Sequence, residues 1–187
     1  MEAKTIYFER PGQENTAEVL RLAGQRAKEL GIKTVVVAST RGETAAQAVT
    51  ALKGLRVIIV SHSQGFREAN TNTFTEENRK VVEKGGGIIY TGTHLFAGLS
   101  RAIRNKYNTY VVGELFASVL RLLGEGMKVV CEISTMVADA GLVRTDEEVI
   151  VIAGTGRGAD TAVVLTPVNS QNFFDLRVKE ILCKPRF

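Results

Sequence analysis

The chain has 187 residues, 44% hydrophobic and 24% charged, with only 3 prolines; this excludes a disordered or collagen-like polymer and suits one domain that folds without disulfide or metal staples. The formal charge of +4 is spread among interspersed signs, so mild attraction to anions is all it implies. Cys131 and Cys183 have no CxxC or Cys/His partner spacing, which predicts reduced thiols.

Residues 1–5 carry no apolar stretch of signal-peptide type, and the longest apolar runs are strand-sized, so a cytoplasmic chain with no membrane partner is expected. Thr5 to Phe8 reads as a first strand. Asn15 then predicts a helix cap with Glu18 as its capping-box partner, and Val19, Leu22, Ala23, Ala27 and Leu30 form a buried stripe that Gly31 closes. Thr34 to Ala38 is a β-branched run of the kind covered on both faces. Ala45, Ala48, Val49 and Leu52 repeat at helical spacing before Gly54, and Val57 to Val60 is the next buried strand. Ser61 to Phe74 has neither period, and a loop this long predicts a binding loop or lid.

Thr75, with Glu76 and Glu77, opens a helix through Lys84, and Gly87 to Tyr90 follows as a strand. Arg101, Arg104 and Lys106 precede Tyr107 and Tyr110 as a basic stretch with aromatics between, which reads as a solvated helix face or oligomer contact more readily than as a nucleic-acid surface. No nucleic-acid partner is expected. Leu115, Val119 and Leu122 mark a helix with Phe116, Leu120 and Leu123, and its apolar residues offer a contact for a homo-oligomer. Val129 to Ala140 opens like a strand, but Ile133, Met136, Val137 and Ala140 keep helical spacing, so a helix is predicted. Val149 to Ala153 and Ala162 to Thr166 lie too close for a crossover helix and predict an antiparallel hairpin; Leu176 to Leu182 adds an edge strand. The alternation predicts an α/β fold: three α/β/α layers around a mostly parallel sheet with an antiparallel C-terminal hairpin.

Ligands of open parallel sheets sit beyond the carboxyl ends of the strands. The segments there are Ser39-Thr40-Arg41-Gly42-Glu43-Thr44, Ser61-His62-Ser63, Thr91-Gly92-Thr93-His94 and Gly154-Thr155-Gly156-Arg157-Gly158, which include both histidines of the chain. The first joins a strand to a helix beginning near Glu43. It offers free amides, the positive end of a helix dipole, the hydroxyls of Ser39, Thr40 and Thr44, and the Arg41 fork: an anion pocket suited to a phosphomonoester. The competing reading has Thr40 or Thr44 capping the helix and Arg41 solvated, and Glu43 counts against an anion. The glycine-rich tip is GxGxG rather than GxGxxG and precedes a strand, so it is no dinucleotide fingerprint, though its amides and Arg157 can meet a ligand. Ser61-His62-Ser63-Gln64-Gly65 looks like a nucleophile elbow, but the acid and histidine that should follow in order are missing. Two histidines are too few for a metal site unless carboxylates join them. Met136 and Asp139 share one helical face; packing and capping are their ordinary roles, and both are candidate ligand contacts.

Val35 to Ala45 with Val57 to Ser61, and Glu148 to Gly156 with Thr161 to Val164, resemble the C-terminal α/β domain of pyruvate kinase. In that domain a T-x-S-G-x-[ST] loop and a later glycine-rich hairpin hold the phosphates of a sugar bisphosphate. Position by position, Ser39 stands for the Thr, Gly42 for the Gly and Thr44 for the last hydroxyl residue, while Arg41 replaces the Ser. Nearly the whole chain is similar to a small stand-alone family of pyruvate kinase C-terminal-domain-like proteins found mainly in archaea. The similarity runs through Tyr7-Phe8-Glu9, Gly65-Phe66-Arg67-Glu68, Ala138-Asp139-Ala140-Gly141-Leu142, Gly158-Ala159-Asp160-Thr161-Ala162 and Phe174-Asp175-Leu176-Arg177. That resemblance implies bound flavin mononucleotide (FMN), with its phosphate on Ser39 to Thr44 and its ring near His62, His94 and Thr155. It also admits a non-enzymatic sensor of a phosphorylated metabolite.

Overall fold

The computed structural model describes residues 2–186, so Met1 and Phe187 lie outside the described residues. Strand β1 (Ile6–Phe8) leads to α1 (Thr16–Leu30), β2 (Thr34–Ala38), α2 (Glu43–Ala51), β3 (Arg56–Ser61), α3 (Glu76–Lys84) and β4 (Ile88–Thr91). Next come α4 (Gly98–Tyr107), α5 (Val112–Arg121), α6 (Glu125–Asp139), β5 (Val149–Ala153), β6 (Thr161–Thr166) and β7 (Arg177–Pro185). One seven-stranded sheet runs in the order β1-β7-β6-β5-β2-β3-β4. Strands β5, β2, β3 and β4 are mutually parallel, and β6 is antiparallel to both β5 and β7.

Burial on both faces explains the β-branched runs. Val35 and Val37 pack with α1, α2 and α3 on one side, while Val36 and Ile58 pack with α6 on the other, so the central positions of β2 cannot alternate with polar residues. The three-layer α/β/α architecture is the predicted one. Helix α1 buries Val19, Leu20, Ala23 and Ala27 and ends at left-handed Gly31, whose amide reaches the Ala27 and Lys28 carbonyls. Among the described residues no helix is long and apolar enough to cross a membrane. Both cysteines are buried free thiols, pushed by burial up to about 11 for Cys131 and about 12 for Cys183.

Four expectations are corrected. Asn15 does not cap α1 with its side chain: its Nδ2 donates back to the Arg10 and Gly12 carbonyls, and Glu18 pairs with Arg21 at 2.7 Å. The C-terminal strand is not the edge; β7 lies between β6 and β1, with Cys183 opposite Ile6 in register. Helix α4 has no predicted bounds beyond the solvated face of Arg101, Arg104 and Lys106: Leu99, Ala102 and Ile103 keep helical spacing, but the stripe is short and no residue of the helix is buried. Helix α6 starts four residues before Val129 and is buried nearly all round, which weakens its helical signature.

Candidate functional site

A cleft of about 1000 Å³ opens beyond the carboxyl ends of β2, β3 and β5. Its first wall is the β2–α2 turn. The Ser39 amide extends the sheet ladder to the Val60 carbonyl at 3.0 Å, and its Oγ accepts from the Ala45 amide at 3.2 Å. The carbonyls of Thr40 and Arg41 face the segment after the long loop: Thr73 Oγ1 donates to Thr40 at 2.9 Å, and the Thr75 amide and Asn78 Nδ2 donate to Arg41 at 3.1 and 3.0 Å. With the carbonyls so engaged, the amides of Arg41, Gly42, Glu43 and Thr44 have no acceptor among the described residues. That is the donor set an oxyanion requires at a helix start. Gly42 makes the turn possible: its φ is +102°, and a Cβ there would lie 2.4 Å from Asn78 Cβ and 2.8 Å from the Phe74 ring.

The hairpin tip between β5 and β6 supplies the facing wall through Gly154, Gly156, Arg157 and Gly158. It is fastened from behind by Asp160, which is fully buried: Oδ2 accepts from the Gly12 amide at 3.1 Å and the Thr155 amide at 3.0 Å, and Oδ1 accepts from Thr161 Oγ1 at 2.8 Å. Thr16 Oγ1 takes the Ala159 amide at 2.9 Å.

The third wall is an imidazole cluster. The His62 ring lies 3.8 Å from the Phe66 ring and 5.3 Å from that of His94, and the Arg101 guanidinium stacks 4.3 Å over Phe66. Thr40 Oγ1 is 3.4 Å from His62 Nε2, whereas His62 Nδ1 and His94 Nε2 are buried without a hydrogen-bond partner. Burial, then the charges of His94, Arg67 and Arg101, push His62 down to about 4, so its ring is neutral at pH 7. Burial also holds His94 below the ordinary histidine range, against the opposing pull of Glu132. Glu132 Oε2 lies 4.0 Å from His94 Nδ1, its Oε1 accepts the Phe96 amide at 3.1 Å, and it forms a buried ion pair with Lys128 one turn earlier on α6. Neutral imidazoles over an ion-paired floor can donate or accept hydrogen bonds without changing charge near pH 7.

The structure brings Ser39, Thr40, Arg41, Glu43, Thr44, Ser61, His62, His94, Gly154, Gly156 and Arg157 to this cleft. It leaves out seven other predicted residues. Gly42 lies under the turn as its hinge. Thr91 is tied to Ser61, hydroxyl to hydroxyl at 2.6 Å, while Gly92 and Thr93 do not line the cavity. Thr155 turns its amide onto Asp160. Met136 is a core residue 4% exposed, and Asp139 Oδ1 accepts from Asn169 Nδ2 and the Ser170 amide at the far end of α6. At 1.5 Å per residue, Asp139 stands roughly 16 Å along the axis from Lys128, beyond the reach of the cleft. Arg41 is half engaged by Glu43 at 3.5 Å, the conflict its sequence neighbours predicted. Phe66 and Arg67 line the cleft from the loop expected to bind, though neither was singled out, and sequence reading missed Arg101, Lys128 and Glu132 as wall residues. The i, i+4 spacing of Lys128 and Glu132 was their one legible signal, and it ordinarily marks a solvent-exposed pair. Among the described residues no three His, Cys, Asp or Glu side chains are placed to hold a metal ion.

Residues 17–165 match the family model of the pyruvate kinase alpha/beta domain. The chain is also similar to solved structures of pyruvate kinase from Cryptosporidium parvum. One matches at 10% identity with a TM-score of 0.43, covering 81% of this chain and 22% of that one. A complex with ADP matches at 11% and 0.41, covering 80% and 22%, and a third structure at 12% and 0.40, covering 84% and 23%. The chain thus spans less than a quarter of the length of those enzymes.

Proposed function

This chain belongs to the pyruvate kinase alpha/beta domain family, and from that premise we propose that it binds a phosphorylated small molecule, FMN foremost, in the cleft at the carboxyl edge of its sheet. The observation that carries the reading is the run of amides without acceptors in the β2–α2 turn, of which Arg41, Glu43 and Thr44 line a cleft of about 1000 Å³. The residues fit such a ligand. The β2–α2 turn and Arg157 would hold the phosphate, and the neutral rings of His62 and His94, each with an unpartnered buried nitrogen, suit the polar edge of a flat heterocycle. When bound, the flavin would supply hydride or electron transfer, which would make the protein an oxidoreductase; this chain's own part is to bind and orient it. The finer placement, a cytoplasmic member of the stand-alone archaeal group, belongs to the same proposal and rests on the motif resemblances given above.

One observation favours a second reading, a non-enzymatic sensor. Helix α5 lines the cleft with Glu114, Ala117, Ser118 and Arg121, yet its other face leaves Leu115 and Val119 57% and 61% exposed, so one rigid element joins the cleft to a surface fit for a homo-oligomer. The test is an absorption spectrum of protein purified without added ligand, followed by titration of FMN with fluorescence detection. A flavin spectrum, or quenching that saturates at one equivalent, is expected. Colourless protein that leaves flavin fluorescence untouched but is thermally stabilised by sugar phosphates would replace this reading with the sensor.

A further inference from the structure

Cations along the cleft fall into two groups. Arg104 is paired with Glu114 at 2.7 Å, Arg121 with Glu125 at 2.5 Å, and Lys128 with Glu132. Arg67, Arg101 and Arg157 line the cleft with no carboxylate within ion-pair distance among the described residues, and of these Arg67 and Arg101 act electrostatically on His62. Arg101 is half-buried and held in place by its stacking on Phe66. A planar fork fixed on a ring loses little freedom when a bidentate anion docks, and two like charges converging on one imidazole are relieved by that anion. Directly against the same Phe66 ring lie His62 and His94, at 3.8 and 5.3 Å, each with a buried ring nitrogen lacking a partner. Buried polar atoms left unpaired are costly, and neutral nitrogens are matched by a hydroxyl or carbonyl, not by a second charge. Phe66 belongs to the long loop between β3 and α3, which is tied to the site by Asn72 donating to the His62 carbonyl at 3.0 Å.

We infer that Arg101, His62 and His94, gathered around the Phe66 ring, with the exposed Arg67 on the same wall of the cleft, form a second ligand subsite for a small carboxylate bearing a hydroxyl or carbonyl on the adjacent carbon. The guanidinium groups take the carboxylate, and the imidazoles take the neutral oxygen. This subsite shares His62 and His94 with the ring placement proposed above but does not use the amides of the β2–α2 turn, so it is tested without flavin and its failure leaves the phosphate end of that reading standing.

The experiment is a titration of lactate and of its deoxy analogue propionate into the full chain free of flavin, with inorganic phosphate as a third arm. Proton NMR of the C2–H signals is the readout, since the chain has only 2 histidines and a His62→Gln variant assigns them. Lactate is expected to shift both signals and to bind about tenfold to a hundredfold more tightly than propionate, the range for leaving buried polar groups unpaired. Arg101→Met keeps the stem over Phe66 and should cost lactate at least tenfold, with circular dichroism unchanged because α4 buries no residue. Equal binding of lactate and propionate, or lactate binding indifferent to Arg101→Met, overturns the proposal. So does phosphate binding that Arg101→Met abolishes while lactate shifts nothing.

Discussion

Replacing Lys128 with Met tests whether the floor of the cleft is built on a charge pair. Lys128 and Glu132 have side chains only 8% and 2% exposed and bond to each other directly, with the ammonium also 5.7 Å over the Phe96 ring. Met matches the volume and removes the charge, leaving the Glu132 carboxylate buried with the Phe96 amide as its remaining donor. Breaking one side of a buried pair costs about 3–5 kcal/mol, and the retained amide bond places the expectation near the lower end. A second effect gives the experiment its sign. Lys128 lowers the His94 pKa and Glu132 raises it, so without Lys128 the imidazole 4.0 Å away is drawn to its proton and partly replaces the lost cation. Urea unfolding should therefore show a loss of about 3 kcal/mol at pH 7.5 that shrinks toward pH 5.5. Lys128→Met combined with Glu132→Leu should recover most of it, since an apolar pair removes the stranded charge. A single-variant loss below about 1 kcal/mol, or a loss that grows on acidification, refutes the buried-pair account.

Three further outcomes follow from the site. Arg41→Ala should weaken a phosphorylated ligand by about 1.5–3 kcal/mol in calorimetry, the scale of a charge-assisted hydrogen bond; equal affinity would place Arg41 outside the site. Asp160→Ala strands the Gly12 and Thr155 amides and the Thr161 hydroxyl, costing about 3–5 kcal/mol by urea unfolding, whereas Asp160→Asn keeps an acceptor for both amides and costs about 1; equal losses would contradict this. His62 titrates in the fold near 4, below its ordinary value of 6.5, so acid favours the unfolded chain: its contribution is complete above pH 6.5 and lost as pH falls toward 4. That difference is worth roughly 3 kcal/mol unscreened, and about 1–2 once solvent at the cleft mouth is allowed for. A His62→Gln variant should flatten the stability profile across that window.

The parallel centre of the sheet was legible because burial on both faces forces uninterrupted β-branched runs such as Val35 to Val37, and few other environments select them. The hairpin was legible from its short connection. What escaped was whatever depends on neighbours distant in sequence. Asn15 reads as a cap until the Arg10 and Gly12 carbonyls take its amide. Arg101 reads as a surface cation until Phe66, from another segment, comes beneath it. The β2–α2 turn lies between these cases. Its local sequence predicts the helix start and the free amides, but only the segment from Thr73 to Asn78 explains why the carbonyls face away.

Chain direction decides which residues of α6 can serve the site. The helix begins at the cleft, where Lys128, Val129, Glu132 and Ile133 line the wall, and descends along the sheet to its end at Asp139, after which β5 returns to the cleft through Val149 to Ala153. Side chains on one face of the first turns therefore meet the cleft while Met127, Val130 and Cys131 pack in the core, and those of the last turn meet the opposite edge. This is why a buried charged pair is found on the early turns, while Met136 packs in the core and Asp139 serves the Asn169-Ser170 turn. The same argument covers β3, where Ser61 at its end and His62 just after it stand at the cleft while Arg56, at the strand's start, donates to the Leu142 carbonyl at the far edge. In the parallel strands β2, β3 and β5, a charge at the start of the strand acts on the fold alone; moved to the other end, it faces the cleft.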